Sequence, residues 1–490
     1  MNDMNDMEQL LNDDQMMQFI TQGYLVLHND LPGSLHKKVM QRINEVLVHE
    51  GNPGNNILPR VPDIQAFFET PVVKGALTSV LGPDYYLHPH RHCHYNSPGN
   101  QNPGGGEWHK DGYWSAMRSH RPWWAMIFYY TQDITTELGP TAIMPGSQYN
   151  EKFPGHEKEF LLPTGPAGTM VLVHFDLWHK ASQNVSALDR YMLKFQFARR
   201  QTPSGPSWNN TSKTMPVPEA GSVSRTALWE SIWNWMRGEQ APVKEASRED
   251  NSVIELARLA QDASEDDALN AVYELAGRGE VGVRELLDIL DSGSNLAALR
   301  AAYGIQAAGE IAVQGLIERL RHADDRRRAL ACFSLGMLSC SNDRITAALT
   351  AGLSDDSQWV RRNAAEALGM LVNPSAEAVS ALAHLLEISV RSEKEEAQTE
   401  STNAYSPNQD YIKNKLGYTA ALSLLRIGKH GEAVEVVTAL EEALSSNDRY
   451  VRAYAFEALS QLRIGEAVEV LLRYYRTSRW CPDTTKASMF

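Results

Sequence analysis

The apolar positions of the first half of the chain predict short helices and strands. A helical pattern, QMMQFITQ, ends at Gly23 and is followed by the strand-like run Tyr24–Leu27. Asp13 or Asp14 is the expected N-cap of that helix. A second helix is predicted around residues 35–49, and the chain then divides into short β-type runs separated by turns such as SPGNQNPGGG. We therefore expect a β-rich barrel in this half.

The second half of the chain repeats itself. The segments DRRRALACFSLGML, WVRRNAAEALGMLV and YVRAYAFEALSQLR share an arginine, a run of small residues and a leucine at matching positions. Arg328 and Arg361 are 361 − 328 = 33 residues apart, a spacing typical of solenoids built from helix pairs. One pair cannot bury its apolar face alone, so stacking must supply the core. The polar insertion RSEKEEAQTESTNAYSPNQD is predicted to be a mobile loop.

A connector separates the two patterns and contains one short amphipathic helix. Trp229 and Trp233 are four residues apart in it and therefore share a helix face. The helix either docks the two domains together or caps the first repeat, and the pattern favours neither. The predicted segments are a barrel domain at 1–205, the connector at 206–250, the helical repeats at 251–475 and a tail at 476–490.

Composition and charge restrict the partners of this chain. Hydrophobic residues make up 43% and charged residues 22%, as in globular proteins. A net charge of −14 disfavours nucleic acid, whose binding depends on neutralising phosphates with cations. No apolar run reaches the length of a membrane span, and the acidic N-terminus lacks a secretory pattern. The four cysteines lack paired spacing, which fits a reducing compartment. We therefore expect a cytoplasmic protein without a nucleic-acid or membrane partner.

The segment GGGEWHKDGYW carries the strongest chemical signal. His109 and Asp111 are two residues apart, so on an extended strand both side chains leave the same face and can meet one metal ion. His179, in VLVHFDLWHKASQN, supplies a second imidazole. Two histidines and one carboxylate form the facial triad of non-haem iron(II) oxygenases. Arg190 follows 190 − 179 = 11 positions later, and its guanidinium can grip a carboxylate.

Four stretches resemble the phytanoyl-CoA dioxygenase-like oxygenases, in that family's own order and over roughly residues 10–200. They are FITQGYLVL, WHKD, ELGPTAIMPGSQ and WHKASQNVSALDR. The resemblance implies a double-stranded β-helix in which His109, Asp111 and His179 bind Fe(II). It also implies that Arg190 anchors 2-oxoglutarate, which reacts with O2. The repeats resemble HEAT repeats, close to those of phycobilin lyases, and imply an all-α solenoid over roughly residues 253–475.

Further candidates lie on the predicted barrel wall. His88, His90, His92 and His94 alternate along one strand and would share one face. They indicate either a second metal site or, as the resemblance implies, a wall of the substrate or cosubstrate pocket. His94 is a candidate contact of 2-oxoglutarate, together with Asn96. The roles of His88, His90 and His92 stay open.

Two other candidate contacts of the cosubstrate are Phe128 and Ser182. Phe128 lies on the strand after the metal loop and could flank 2-oxoglutarate, although aromatic strand residues are more often core. The family often has Gly-Ser after the distal histidine, whereas Lys180 and Ala181 intervene here before Ser182. A hydroxyl that helps to bind the cosubstrate is therefore either that of Ser182 or comes from elsewhere.

A second His-x-Asp pattern, His174-Phe175-Asp176, is a decoy. It needs a later histidine as third ligand, but only His179 lies close by and none follows until His322. We reject it as the metal site.

The sequence thus predicts an iron(II)- and 2-oxoglutarate-dependent dioxygenase that hydroxylates a small-molecule metabolite. Asp111 fills the position that is vacant in related halogenases, which favours hydroxylation, while desaturation or cyclisation stays open. One alternative is a catalytically silent barrel on a HEAT-repeat binding scaffold. Another is an oxygenase that acts on a protein or carrier-bound substrate. The repeats would cap the active site, recruit a partner or drive self-association.

Overall fold

The structure is a computed structural model, and it describes most of the chain. The residues described are 9–29, 31–100, 103–112, 114–155, 159–216, 225–240, 243, 247, 250–338, 340, 342–399, 412–428 and 434–477. The predicted tail at 476–490 lies outside them except for residues 476 and 477, which end the last helix.

Two antiparallel sheets form the N-terminal domain. The larger contains β1 (Tyr24–Leu27), β2 (Tyr86–Asn96), β3 (Trp124–Tyr130), β5 (Met170–His174) and β7 (Arg190–Ala198), in the order β1-β5-β3-β7-β2. The smaller pairs β4 (Ala142–Ile143) with β6 (His179–Lys180). Strands β3, β5 and β7 are buried along their whole length, because they lie inside the larger sheet.

Five α-helices lie before β2 in the chain, and β1 separates the first of them from the second. They are α1 (Asp13–Gln22), α2 (Gly33–Glu50), α3 (Ile57–Arg60), α4 (Gln65–Phe68) and α5 (Pro71–Leu81). The predicted N-cap of α1 was wrong. Asn12 caps it, because its side chain accepts from the Gln15 amide while the Gln15 side chain accepts from the Asn12 amide. Gly23 ends α1 as predicted, with φ +77°.

The rest of the described chain is helical. Its helices are α6 (Thr226–Met236), α7 (Asn251–Asp262), α8 (Glu265–Ala276), α9 (Gly279–Ser292), α10 (Asn295–Ile305), α11 (Val313–Arg319), α12 (Asp325–Met337), α13 (Asp343–Gly352), α14 (Gln358–Met370), α15 (Ala376–Thr399), α16 (Lys415–Ile427), α17 (Val434–Ala443), α18 (Arg449–Leu462) and α19 (Gly465–Thr477). Helices α8, α10, α12, α14, α16 and α18 pack side by side, and we call them the inner ridge. The sequence repeats mark helices of this ridge. A β-rich domain followed by an all-helical region is thus confirmed.

The repeated arginine has a structural role in each copy. Arg328 donates to the carbonyl of His322, and Arg361 donates to that of Asp355. Arg452 donates in the same way to Ser446. In each case the acceptor lies six residues earlier, in the turn that precedes the helix. The arginine therefore satisfies turn carbonyls that would otherwise lack a partner.

The insertion predicted to be a loop begins as a helix. Helix α15 continues through residues 391–399, so the prediction was wrong for this stretch. Its charged residues suit a solvent-exposed helix, and they gave no apolar period from which to recognise one. Residues 400–410 of the insertion lie outside the described residues.

The connector helix α6 contacts both parts of the molecule. It packs against α1 on one side and α8 on the other. Trp233 packs against Trp208 with ring centroids 5.2 Å apart, and Trp235 lies between the Arg121 and Arg199 guanidiniums, each 5.1 Å from its ring. Helix α6 therefore both joins the two domains and covers the first repeat, so the two alternatives are not exclusive. No helix among the described residues is long and apolar enough to span a membrane.

Candidate metal centre

Backbone pairing brings the two distant histidines together. His109 lies in the segment after β2, and His179 begins β6. Each donates its amide to the carbonyl of the other, at 3.0 Å in both directions. Their imidazole centroids are 4.5 Å apart as a result. The pairing holds the two side chains side by side.

Asp111 completes the cluster. One ligand atom from each of His109, Asp111 and His179 lies within 4.8 Å of the others, and this is the one such cluster found among the described residues. The Nε2 of His179 is 3.7 Å from Oδ1 of Asp111. The structure thus brings the three predicted ligands to one point. Their assignment as iron ligands remains a proposal.

Hydrogen bonds orient both imidazoles for coordination. Nδ1 of His109 is 2.7 Å from the carbonyl of Glu107, and Nδ1 of His179 is 2.9 Å from that of Leu177. A carbonyl only accepts, so each Nδ1 carries the proton and each Nε2 presents a lone pair to the cluster. Burial lowers the pKa of His179 to about 4, which keeps it neutral near pH 7. This donor set fits a divalent metal ion such as Fe(II).

Lys194 is the residue of the site that the sequence analysis missed. Its Nζ lies 2.7 and 3.0 Å from the two carboxylate oxygens of Asp111. Burial by itself would raise the pKa of Asp111, but the charge and hydrogen bonds of Lys194 oppose burial, and that pKa lies well below its ordinary value. A lysine flanked by the apolar residues Leu193 and Phe195 within a predicted strand was the available signal.

Arg190 lies on the same strand as Lys194. The two are four residues apart on β7, so their side chains leave the same face of the sheet. Arg190 is 2% exposed, and its Nε and Nη1 have no hydrogen-bond partner among the residues that the structure describes. A buried guanidinium with unsatisfied donors is costly unless a ligand satisfies them. Its surroundings therefore fit a bound carboxylate.

The other four predicted contacts of 2-oxoglutarate lie near the metal-ligand cluster, and their contacts within the protein differ. The ring of Phe128 is 5.7 Å from that of His179. Asn96 pairs with Arg190 across the sheet and donates its side-chain amide to the carbonyl of Ser182 at 3.1 Å. His94 has no partner for Nε2 among the described residues. Cosubstrate contact by His94, Asn96, Phe128 or Ser182 remains a prediction.

Two of the histidines whose roles stayed open contact the helical region. Nδ1 of His90 is 2.7 Å from the hydroxyl of Tyr450, and the His88 ring stacks on Tyr450 with centroids 5.5 Å apart. Within the described residues, these histidines belong to no second cluster of metal-ligating side chains. They form part of the barrel surface that meets the solenoid.

The decoy pattern has its own partners. Nδ1 of His174 accepts from the amide of Asp176 at 3.1 Å, and Asp176 forms an ion pair with Arg118. Neither side chain belongs to the cluster.

A cleft of about 940 Å³ opens beside the cluster. His109, Trp108, Phe160 and Lys180 line it, and Ser182 lies at its wall. Nζ of Lys180 lies 4.9 Å from the ring centroid of Trp108 and 5.6 Å from that of Phe160. The cleft thus combines aromatic surface with the charged residues Lys180 and Glu107, next to the imidazole of a predicted ligand.

The sequence matches two families. Residues 37–192 match the model for phytanoyl-CoA dioxygenase, and residues 313–401 match the model for HEAT repeats. The first range contains His109, Asp111, His179 and Arg190. The chain thus joins a segment that matches phytanoyl-CoA dioxygenase to a segment that matches HEAT repeats, which is the fusion that the sequence resemblance predicts.

Individual relatives are distant. L-proline trans-4-hydroxylase of Streptomyces griseoviridis is 25% identical over 241 residues, which is 39% of this chain and 89% of that protein. Solved structures include the non-heme alpha-ketoglutarate-dependent carbocyclase SnoK from nogalamycin biosynthesis, at 17% identity and TM-score 0.33, covering 39% of this chain and 85% of that one. EctD from S. alaskensis with bound Fe has 16% identity and TM-score 0.34, covering 41% and 79%. These scores are too low to define a shared fold, so the family assignment rests on the sequence match.

Proposed function

We propose that this protein is an iron(II)- and 2-oxoglutarate-dependent dioxygenase. The observation that carries the proposal is the cluster of His109, Asp111 and His179 beside the unsatisfied guanidinium of Arg190. The cluster offers two neutral nitrogen donors and one carboxylate, which suits non-haem Fe(II). The guanidinium offers a buried partner for a dicarboxylic acid. The domain's family supports the same reaction class.

His109, Asp111 and His179 would hold the iron. When bound, the iron lets dioxygen oxidise both 2-oxoglutarate, to succinate and carbon dioxide, and a substrate C–H bond, to an alcohol. Lys194 holds both oxygens of Asp111 and so fixes the direction of that carboxylate. Arg190 binds the distal carboxylate of 2-oxoglutarate.

The cleft and the surrounding side chains orient the substrate and exclude water. Phe128 packs beside His179 and limits access from the sheet side. Trp108 and Phe160 offer apolar surface to a small-molecule metabolite in the cleft. Hydroxylation is the outcome proposed, since Asp111 occupies the position that a halogenase leaves vacant. Desaturation and cyclisation depend on how the substrate is placed over the metal.

A silent barrel on a HEAT scaffold is the second candidate. Against it stands Arg190, because two of its buried donor nitrogens lack a partner among the described residues, which destabilises a protein that binds no acid there. An oxygenase acting on a protein or carrier-bound substrate would need access to the same cleft. The domain boundaries that we propose are 1–205 for the oxygenase, 206–250 for the connector and 251–475 for the repeats.

The test is succinate formation from 2-oxoglutarate with added iron(II) and ascorbate. We expect turnover by the native chain and none by His109→Ala, because two ligands do not retain the metal. His49→Ala, at an exposed histidine on α2, is the matched control and should behave as the native chain. Equal succinate formation by His109→Ala and the native chain would overturn the ligand assignment.

A further inference from the structure

The inner ridge of the solenoid is occupied by the chain's own barrel. Each of its six helices contributes at least one contact to the sheet domain. The contacts are Tyr273 of α8 with His120, Tyr303 of α10 with Glu151, Met337 of α12 with Arg121, Glu366 of α14 with Ala116, Arg426 of α16 with Trp123, and Tyr450 of α18 with His90.

Several of these contacts fall on one loop. Residues 114–121 begin three positions after Asp111 and lie before β3. The loop folds back on the predicted ligand, since Nη2 of Arg118 donates to the carbonyl of Asp111 at 2.7 Å. Trp114 ties it to the sheet, with its indole N–H donating to the side-chain oxygen of Gln196 at 2.6 Å. The position of Asp111 therefore depends on this loop.

Helix α14 binds the backbone of the loop. The carboxylate of Glu366 accepts the amide N–H of Ala116. Nη2 of Arg362 donates to the carbonyl of Trp114 at 2.9 Å and to that of Ser115 at 3.3 Å. The backbone groups of three successive loop residues thus find side-chain partners on one turn of α14, which supplies the pairing that a neighbouring strand would supply elsewhere.

The far end of the loop is held by the preceding repeats. Nη2 of Arg121 donates to the carbonyl of Gln306 at 2.8 Å, and Nη1 donates to that of Met337. Nδ1 of His120 is 2.9 Å from the hydroxyl of Tyr273. The loop is therefore held by the solenoid at both of its ends.

The charges at the contact with α14 are buried. The side chain of Glu366 is 6% exposed, and its partner Arg426 is fully buried, with Nη1 3.4 Å from Oε1 of Glu366. A buried ion pair gains little net stability, because desolvation offsets the attraction between the charges. The role of this pair is better explained by position: Arg426 holds the carboxylate of Glu366 where it accepts the amide N–H of Ala116.

We propose that Glu366 and Arg362 are positioning residues that hold the loop, and through it Asp111, in the geometry that binds metal. The partner of the inner ridge is then this chain's own oxygenase domain. The inference rests on the proposed metal site. It adds that metal binding at this site depends on the solenoid, through Glu366, which lies 366 − 111 = 255 residues after Asp111 in the chain.

Two substitutions of Glu366 separate its two contacts. Glu366→Gln keeps an oxygen that can accept from Ala116 but removes the charge paired with Arg426. Glu366→Leu removes both. Asp355→Asn is the matched control, because Asp355 pairs with Arg328 at 2.8 Å between neighbouring repeats and does not contact the loop.

The measurement is Co(II) binding to the full chain, followed by visible absorption. Loss of a group that supports a ligand typically weakens metal binding by about tenfold or more, so we expect about tenfold for Glu366→Leu. We expect the dissociation constants of Glu366→Gln and Asp355→Asn to stay within about threefold of the native value, since both keep the loop contact. The proposal would be overturned if Glu366→Gln weakened Co(II) binding as much as Glu366→Leu does. It would also be overturned if Asp355→Asn weakened binding to that extent. Unchanged binding by Glu366→Leu would overturn it as well.

A second variant tests the same loop contacts independently, in case Glu366→Leu fails to fold. Arg362→Met removes the contacts with Trp114 and Ser115 and leaves Glu366 in place, and we expect it also to weaken Co(II) binding. In parallel, hydrogen exchange of residues 114–121 should rise in the variants that lose loop contacts. If the native chain fails to bind Co(II), the proposed function falls as well. If it binds and His109→Ala does not, normal binding by Arg362→Met refutes this inference alone.

Discussion

Replacing Arg190 tests the cosubstrate site most directly. Arg190→Met keeps an apolar stem of similar length on β7 but removes the guanidinium that we assign to 2-oxoglutarate. The native side chain is 2% exposed and has two donor nitrogens without partners among the described residues. The substitution therefore breaks no hydrogen bond at these two nitrogens. The substitution should therefore weaken the binding of 2-oxoglutarate and leave the folded structure unchanged.

The expected magnitude follows from the two unsatisfied donors. Each hydrogen bond to a charged group contributes at least about 1.5 kcal/mol, so losing two costs about 3 kcal/mol. Since about 1.4 kcal/mol is tenfold in affinity, the KM for 2-oxoglutarate should rise about 100-fold. Arg190→Lys keeps the charge without the planar fork, and its KM should lie between those of the native chain and Arg190→Met.

The assay is succinate formation at varied 2-oxoglutarate, with iron(II) and substrate held saturating. We expect the KM to change much more than kcat, because Arg190 contacts the end of the acid away from the reacting atoms. Co(II) binding serves as the control and should stay near the native value in Arg190→Met. A KM within a few-fold of native, in a variant that still binds Co(II), would refute the assignment.

Two further predictions concern the parts that position the site. Burial would raise the pKa of Asp13, but hydrogen bonds from residues 208–212 outweigh it and lower that pKa from 3.8 to about 2. The ionised Asp13 carboxylate therefore stabilises the folded protein above pH 3.8, and this stabilisation is lost as the pH falls towards 2. The difference in melting temperature between the native chain and Asp13→Asn should therefore shrink as the pH falls from 3.8 towards 2. A difference that does not change with pH would contradict this reasoning. Gly369→Ala should lower the melting temperature, because a Cβ would lie 2.6 Å from Cα of Ser423 where α14 crosses α16. Gly465→Ala, whose Cβ would meet nothing within 4 Å, should not lower it, and equal melting of the two variants would count against the close crossing.

The proposed role for the solenoid changes how the fusion is understood. A HEAT array on its own presents an extended surface suited to binding a partner. Here the inner ridge meets the barrel along six helices, and the contact includes buried charged groups such as Arg121 and Glu366. Separating the two parts would expose these groups and apolar rings such as Trp114. We therefore expect the barrel and the repeats to behave as one folding unit.

Much of the site was predictable because local spacing carries its chemistry. The two-residue interval between His109 and Asp111 places both on one face of an extended chain, whatever surrounds them. Lys194 was missed because one lysine in a strand is usually solvated, and its partner Asp111 is 194 − 111 = 83 residues away. The N-cap of α1 was misplaced by one or two residues, since Asn12, Asp13 and Asp14 all have side chains that can cap a helix.

The sequence by itself determined the two architectures, the repeat spacing and the identity of the three candidate ligands. The architectures and the repeat depend on periods of two to a few tens of residues, which are written directly in the order of side chains. The ligand set depends on the two-residue interval between His109 and Asp111 and, for His179, on the resemblance of its segment to a known family. Only the tertiary structure decided that Lys194 pairs with Asp111, that two donor nitrogens of the buried Arg190 lack a partner among the described residues, and that α14 binds the loop after Asp111. These contacts join residues far apart in the chain, and no local pattern encodes which distant groups burial will bring together.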